Sequence, residues 1–255
     1  PHMGAKLAAA ESARNLVCSG ALPLAATNCL NFGNPENPEV MWQFTESVEG
    51  IREACEILNT PITGGNVSLY NETRNEPIYP TPIIGAVGLT ENVYKHCDIA
   101  FQRPGDIVIL LGVPNVSTVM EELSGSEYLS EIHYKVAGKP SIDIEKEVAV
   151  QKTCRELIWN SIAKSAHDCS EGGVAITLAE SAIAGELGFE GDFDLSERWD
   201  VGLFGEGQSR IVVSIDSADV DSFSSICNEN KVDYCVIGEV GAGKFVINEI
   251  IEVDM

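Results

Sequence analysis

Apolar positions along the chain change period several times, and each change predicts an element. Gly4 to Ser19 is rich in Ala, Leu, Glu, Lys and Arg, all good helix formers, with no clean apolar stripe. That predicts a helix buried over much of its surface, with Gly20 placed to stop it. Leu24 to Leu30 reads as a buried strand. Val40, Phe44, Val48, Ile51, Cys55 and Leu58 then recur at helical spacing. They predict a helix from about Pro38 to Leu58, capped by Asn37 and with Pro38 in its first turn. Met41 and Trp42 lie off that stripe. Pro61 to Thr63 is a short lead into a Gly- and Asn-rich run. Val67 to Pro82 reads as a long loop, and Ile83 to Leu89 as a strand broken by two glycines.

Glu91 to Asp106 is polar, lacks periodicity and ends in the turn signal Arg103-Pro104-Gly105-Asp106, which marks a boundary. The pattern restarts with a strand at Ile107 to Gly112. Asp143 caps a long helix whose first turn carries Glu145 and Glu147. Ser165 to Ser170 leads into Glu171-Gly172-Gly173 and a helix through Ala184. Arg210 to Ile215 reads as a strand, and Ser217 is placed to cap a helix to Asn230. Val232 to Val240 and Lys244 to Ile251 read as a closing strand pair around Gly241-Ala242-Gly243. The expected fold class is α/β (α+β), in two units spanning 1–98 and 103–255. The second holds enough strands for its own sheet, whereas the first is short of strands.

Composition narrows the function classes. Hydrophobic residues make up 44% of the chain, enough for a full core. A formal net charge of -23 repels phosphate backbones and anionic lipid, so neither nucleic acid nor membrane is an expected partner. Eight cysteines without a C-x-x-C pair, mostly in apolar runs, point to reduced thiols in a cytoplasmic protein. Pro1-His2-Met3 reads either as a cloning scar or as native sequence.

The candidate chemistry lies in two clusters, Thr27-Asn28-Cys29-Leu30-Asn31-Phe32-Gly33-Asn34-Pro35 and Thr63-Gly64-Gly65-Asn66-Val67-Ser68-Leu69-Tyr70-Asn71-Glu72-Thr73. Each begins where a strand-like run stops. Gly permits close backbone approach, and Asn and Ser offer neutral donors and acceptors suited to phosphate, ribose and hydrated Mg²⁺. A helix between the clusters puts both at the same end of adjacent strands, where α/β sheets bind ligands. Gly-Gly and Asn-Pro are also turn dipeptides, and from spacing alone the two readings stand level. His167-Asp168-x-Ser170 holds triad residue types, but a strand-to-helix turn with a hydrogen-bonded His167 is the preferred reading. Glu171-Gly172-Gly173 opens a helix whose N-terminus suits an anion. His2, His96 and His133 read as surface residues without partners.

Asn28 to Glu36, Pro38 to Phe44, Gly64 to Thr73 and Ile78 to Pro82 closely resemble the phosphoribosylformylglycinamidine synthase family. The similarity continues through Ala166 to Gly173 and Leu203 to Arg210. It implies a PurM-like fold: a partial N-terminal-type sheet domain followed by a C-terminal α/β sandwich domain. It also implies the second of two homologous halves, with the family's catalytic histidines in the first. The family amidates formylglycinamide ribonucleotide with ATP, Mg²⁺ and ammonia from a glutaminase subunit, alongside a small accessory subunit. On this resemblance Asn28 and Gly65 contact ATP, Asn66 ligates Mg²⁺ and Ser68 bonds the ribonucleotide. Asn28 stands where the family usually has Asp. Glu206-x-Gln208-Ser209 is similar to a substrate-contacting half-site. The 255 residues alone are expected to be inactive, and exposed sheet edges in the first unit favour a homodimer. Other PurM-like enzymes, of the aminoimidazole ribonucleotide synthetase or selenophosphate synthetase type, and a non-catalytic scaffold that docks partner subunits, stay open as alternatives.

Overall fold

The computed structural model describes residues 1–74, 76–116, 119–195 and 198–255. The chain divides into two compact units, Pro1–Leu16 with Leu22–Leu89, and Val17–Ala21 with Thr90–Met255.

The first unit contains α1 (His2–Cys18, its last turn counted with the second unit), β1 (Leu22–Asn31), α2 (Pro38–Leu58), β2 (Ile62–Ser68), β3 (Glu72–Thr73), β4 (Glu76–Pro77) and β5 (Thr81–Leu89). The amide oxygen of Asn37 accepts from the Glu39 N–H at 2.9 Å and caps α2. The helix stops at Asn59, which is left-handed and returns its N–H to the carbonyls of Cys55 and Glu56. β1 pairs parallel with β2 and antiparallel with β5, giving the order β2-β1-β5. α1 and α2 supply Ala5, Ala9, Val40, Ile51, Ala54 and Cys55 to a core that includes Leu30 of β1 and Phe32. Gly50 lets the helices close up, since a Cβ there would lie 2.1 Å from the His2 carbonyl oxygen. On the far face of the sheet Ile83, Val87 and Leu89 are exposed. The segment from Val67 to Pro82 is not one loop. β2 runs on through Ser68, and a small β3–β4 hairpin follows.

The second unit contains β6 (Ile107–Leu111), α3 (Glu127–His133), α4 (Ile144–Trp159), β7 (Ala163–Asp168), α5 (Gly173–Gly185), β8 (Gly188–Gly191), α6 (Trp199–Phe204), β9 (Ile211–Ile215), α7 (Val220–Asn230), β10 (Tyr234–Gly241), β11 (Lys244–Ile247) and β12 (Ile251–Asp254). Its seven strands are ordered β12-β11-β8-β10-β6-β9-β7. Neighbours are antiparallel except β8 and β11. The period-two alternation sorts the core. Ile109, Leu111, Ile211 and Val213 share one cluster with Val150 and Leu157 of α4 and Phe223 of α7. Val108, Leu110 and Val212 share another with Val174, Leu178 and Ala182 of α5. The sheet is therefore flanked by helices on both faces, an α/β sandwich.

Two local expectations fail for physical reasons. β10 and β11 do not form a hairpin, because β8 lies between them, antiparallel to β10 and parallel to β11. Phe189 of β8 is fully buried in the cluster that holds Ile237, Val240 and Phe245, so apolar burial outweighs the short Gly-Ala-Gly connection. Gly188 permits the fit, since a Cβ there would lie 2.0 Å from the Lys244 carbonyl oxygen. Ser217 does not cap α7. Asp216 accepts from the Ala218 N–H, opening a short 3₁₀ turn at Ser217–Asp219 that precedes the helix. All eight cysteines are free thiols, and six of them are buried. Burial pushes Cys97 and Cys227 up to about 12, which keeps them protonated and unreactive.

Candidate functional site

The leading parts of the two clusters, Thr27–Asn31 and Gly64–Ser68, are strand and not turn. They lie side by side in the parallel β1/β2 ladder, where Thr27 opposes Gly64, Asn28 opposes Gly65, Cys29 opposes Asn66 and Asn31 opposes Ser68. Opposed residues in a sheet point to the same face, and successive residues to opposite faces. Asn28 and Gly65 therefore belong to the α2 face, with buried Leu30. Asn66 and Ser68 belong to the open face, with Cys29 and Asn31. The structure gathers all four expected residues into one short stretch of ladder and divides them, two and two, between its faces.

Gly65 and Asn28 are matched sterically. Gly65 has φ +151°, a region that disfavours side chains, and a Cβ there would lie 2.2 Å from the Asn28 carbonyl oxygen and 2.3 Å from its Oδ1. The missing Cβ of Gly65 thus makes room for Asn28. A Cβ on neighbouring Gly64 would meet nothing within 4 Å. At the far end of the ladder Asn71 is a tie absent from the sequence reading. Its Nδ2 donates to the Ser68 carbonyl at 2.9 Å, the Ser68 hydroxyl at 3.1 Å and the Phe32 carbonyl at 3.1 Å. Its position three residues after Ser68, with an amide suited to bonding nearby backbone, was the available signal.

A cleft of about 600 Å³ opens where α2 overhangs β1 and β2, lined by Asn28, Val48, Ile51, Cys55, Arg52 and Ile62 among others. Arg52 is held by Glu49 and Glu56, each at 2.7 Å, and these bonds raise its pKa. Burial pushes the Cys55 thiol up. Val48, Ile51 and Cys55 belong to the stripe that the sequence marks as core, so periodicity alone gave no hint of the cleft.

Metal chemistry has a thin donor set. Among the described residues no group of three His, Cys, Asp or Glu side chains is placed to hold an ion. The amide oxygen of Asn66 is a single neutral ligand, whereas Mg²⁺ takes six oxygens in octahedral array. These residues do not by themselves build a magnesium centre.

The second unit's motifs are engaged internally. The N-terminus of α5, expected to suit an anion, already has one: Glu206 Oε1 accepts from the Gly172 N–H and the Glu127 N–H, both at 2.8 Å. Burial raises the Glu206 pKa against those two bonds. Arg210 is fully buried and donates to the carbonyls of Gly205 and Gly207 and to Glu122. It fixes the loop that carries Gln208 and Ser209 at the wall of a 230 Å³ cavity. His167 is no triad base. It sits between Glu180, at 2.8 Å from Nε2, and Asp168, at 3.4 Å from Nδ1. The other histidines have partners, contrary to expectation: His2 pairs with Glu53 and Glu46, His96 bonds the Val93 carbonyl, and His133 packs edge-on to Tyr128.

Comparison with known proteins decides the family. Residues 1–90 match the AIR synthase related protein N-terminal domain, and residues 103–248 match the AIR synthase related protein C-terminal domain. The chain belongs to the AIR synthase related family. Within the family it is similar to the phosphoribosylformylglycinamidine synthase subunit PurL of Moorella thermoacetica. The two are 50% identical over 248 residues, covering 97% of this chain and 33% of that protein. The chain spans about a third of the length of the curated relatives it matches. Its fold matches Thermotoga maritima PurL complexed with FGAR, with a TM-score of 0.76 at 20% identity, covering all of this chain and 42% of that one. It also matches the same protein complexed with ATP, with a TM-score of 0.74 at 19% identity and 40% of that chain covered. The fold of this AIR synthase related chain is thus PurM-like.

Two outcomes follow from the geometry. Gly65→Ala is expected to destabilise the chain by about 1–3 kcal/mol, while Gly64→Ala stays within about 0.5 kcal/mol; urea denaturation of both variants checks this. The His167 pKa is raised: burial opposes the charged form, but the bonds to Asp168 and Glu180 outweigh it. The stabilisation from charged His167 is then full below the unfolded pKa of about 6.5 and fades as pH rises through the higher folded value. Melting temperatures from about pH 5.5 to 8.5 should show the gap between wild type and His167→Gln narrowing as pH rises.

Proposed function

We propose that this chain supplies part of the ATP and substrate site of a phosphoribosylformylglycinamidine synthase, the ATP-dependent ligase that amidates formylglycinamide ribonucleotide in purine biosynthesis. The supporting observation is the β1/β2 ladder, which brings Asn28, Gly65, Asn66 and Ser68 together on two adjacent strands in a chain half identical to PurL. In this reading Asn28 and Gly65 meet the nucleotide, and Ser68, presented by Asn71, donates to the ribonucleotide. Asn66 gives one oxygen to the Mg²⁺ that accompanies the phosphates, and the ion's remaining oxygens come from outside this chain's residues. Bound there, Mg²⁺ would neutralise charge on the transferring phosphoryl group. Residues 1–98 and 103–255 act as the two functional domains.

The same reading assigns ammonia supply to a glutaminase subunit, alongside a small accessory subunit, in the cytoplasm. It assigns the remaining catalytic groups to sequence like the first of the family's two homologous halves. The exposed apolar face of the β2-β1-β5 sheet is where such sequence, or a second copy of the chain, would pack.

The test has two arms. The 255-residue chain supplied with ATP, Mg²⁺, ammonia and formylglycinamide ribonucleotide should show no turnover, and a rate of about 1 per second or more contradicts the proposal. A chimera in which this chain replaces the matching third of the Moorella thermoacetica protein should turn over. Asn66→Ala or Ser68→Ala in that chimera should lower kcat/KM by about tenfold or more, each having lost about 1.4 kcal/mol of transition-state binding. A folded chimera without activity, or one indifferent to both substitutions, overturns the assignment.

A further inference from the structure

We propose that the 230 Å³ cavity beside the Gln208–Ser209 loop is a binding site for a small organic cation, a compound that carries primary ammonium groups. This needs neither the synthase reading nor the β1/β2 ladder, because the residues of the cavity wall all lie in the second unit. Ser209 is the observation that carries it. It lies in the wall, is 1% exposed, and its Oγ has no hydrogen-bond partner among the described residues. A buried hydroxyl in that state forgoes a bond that a ligand can restore. Its backbone is left-handed, with φ +60°, and the buried guanidinium of Arg210 fixes the loop on either side through the carbonyls of Gly205 and Gly207. An ammonium brings three donors, and the hydroxyl oxygen and the carboxylates around it are acceptors.

Charge sets the sign of the ligand. Glu121, Glu122, Asp143 and Glu206 line the cavity against one lysine, Lys146. Arg210 Nη1 donates to Glu122 at 3.3 Å and offsets that carboxylate, which leaves an excess of negative charge. Helix N-termini would favour an anion, but the two nearest already hold one. Asp143 Oδ1 accepts from the Glu145 and Lys146 N–H groups of α4, each at 3.1 Å, and Glu206 serves α5 as described above. A phosphate entering here meets carboxylates instead of helix N–H groups. A bare divalent ion fits no better, since among the described residues no three acidic, His or Cys side chains converge on one point. Separate carboxylates suit donors spaced along an organic molecule. The volume exceeds what a water needs and falls below the about 300–1,000 Å³ of drug-sized pockets, so the ligand has few heavy atoms. The wall is preformed: the Glu206 N–H donates to the Glu122 carbonyl at 2.7 Å, and the Gly125 N–H to the Ala137 carbonyl at 2.9 Å. Gly207 lets the Glu122 carboxylate lie against the loop, since a Cβ there would stand 2.6 Å from its carboxyl carbon.

The probe is 1,4-diaminobutane, with butane-1,4-diol as its uncharged counterpart, titrated calorimetrically into the 255-residue chain. The diamine should bind one to one, the diol should not bind, and magnesium at the same concentration as the diamine should not displace it. Asp143→Asn keeps a side chain able to cap α4 but removes its charge, and should weaken the diamine about tenfold. Ser209→Ala should weaken it about fivefold to tenfold. That variant should also melt at or above wild type, because the hydroxyl it removes bonds nothing in the protein. Glu252→Gln, on exposed β12, removes one charge far from the cavity wall in sequence and should leave the affinity unchanged. A diamine that fails to bind, that magnesium displaces, or that binds Ser209→Ala as tightly as wild type overturns the site. Equal weakening by Glu252→Gln and Asp143→Asn also overturns it, since the diamine would then be a counterion spread over an acidic surface.

Discussion

The parallel contact between β1 and β2 is the constraint on which the candidate site depends. Two strands running the same way need a crossover, and α2 provides it, with Asn37 starting the helix and left-handed Asn59 ending it. Once the strands lie side by side, Asn28 and Gly65 face each other closely enough that only glycine fits at 65. The same pleat that places them under α2 turns Asn66 and Ser68 to the open face. A single backbone arrangement thus decides which of the four candidate groups lie on the α2 face and which on the open face.

The second unit is fixed by its own buried apolar and polar groups. β8 inserts between β10 and β11 because Phe189 is buried there and Gly188 allows the backbones to close. Glu206 and Arg210 play comparable parts in the polar layer. The carboxylate satisfies two backbone amides at the starts of α3 and α5, and the buried guanidinium satisfies two carbonyls of the loop that follows α6. Buried charge is tolerated because each group finds hydrogen-bond partners. These motifs act as struts in this structure, which explains why residue types that suggest chemistry need not perform it.

Much of the fold could be read from the chain. Helix α2 and its cap at Asn37 were legible because a long apolar stripe met Asn-Pro at its start. The strands near Leu24, Ile83, Ile107 and Arg210 were legible as short apolar runs. β8 was hidden because Gly-Phe-Glu-Gly is too short to carry a period, and its place depends on partners distant in sequence. Gly64 to Asn66 reads only as a Gly- and Asn-rich cluster, and Val67 onward as a loop, because Gly and Asn are strand-poor residues, yet Gly64–Ser68 lies in β2. It is a strand because β1 supplies a ladder for it, a tertiary effect that local propensity does not contain. The four candidate residues were visible through family resemblance. Their division between two faces was not, since that requires the register.

The most direct test of the account is amide chemical-shift mapping of the 255-residue chain during titration with magnesium and ATP. The account predicts the largest shifts at Asn28 and at Gly64 through Ser68, with smaller ones along the cleft side of α2 around Val48 and Arg52. Saturating nucleotide that leaves those amides unmoved, or that shifts only residues of the second unit such as Gln208 and Ser209, would contradict it.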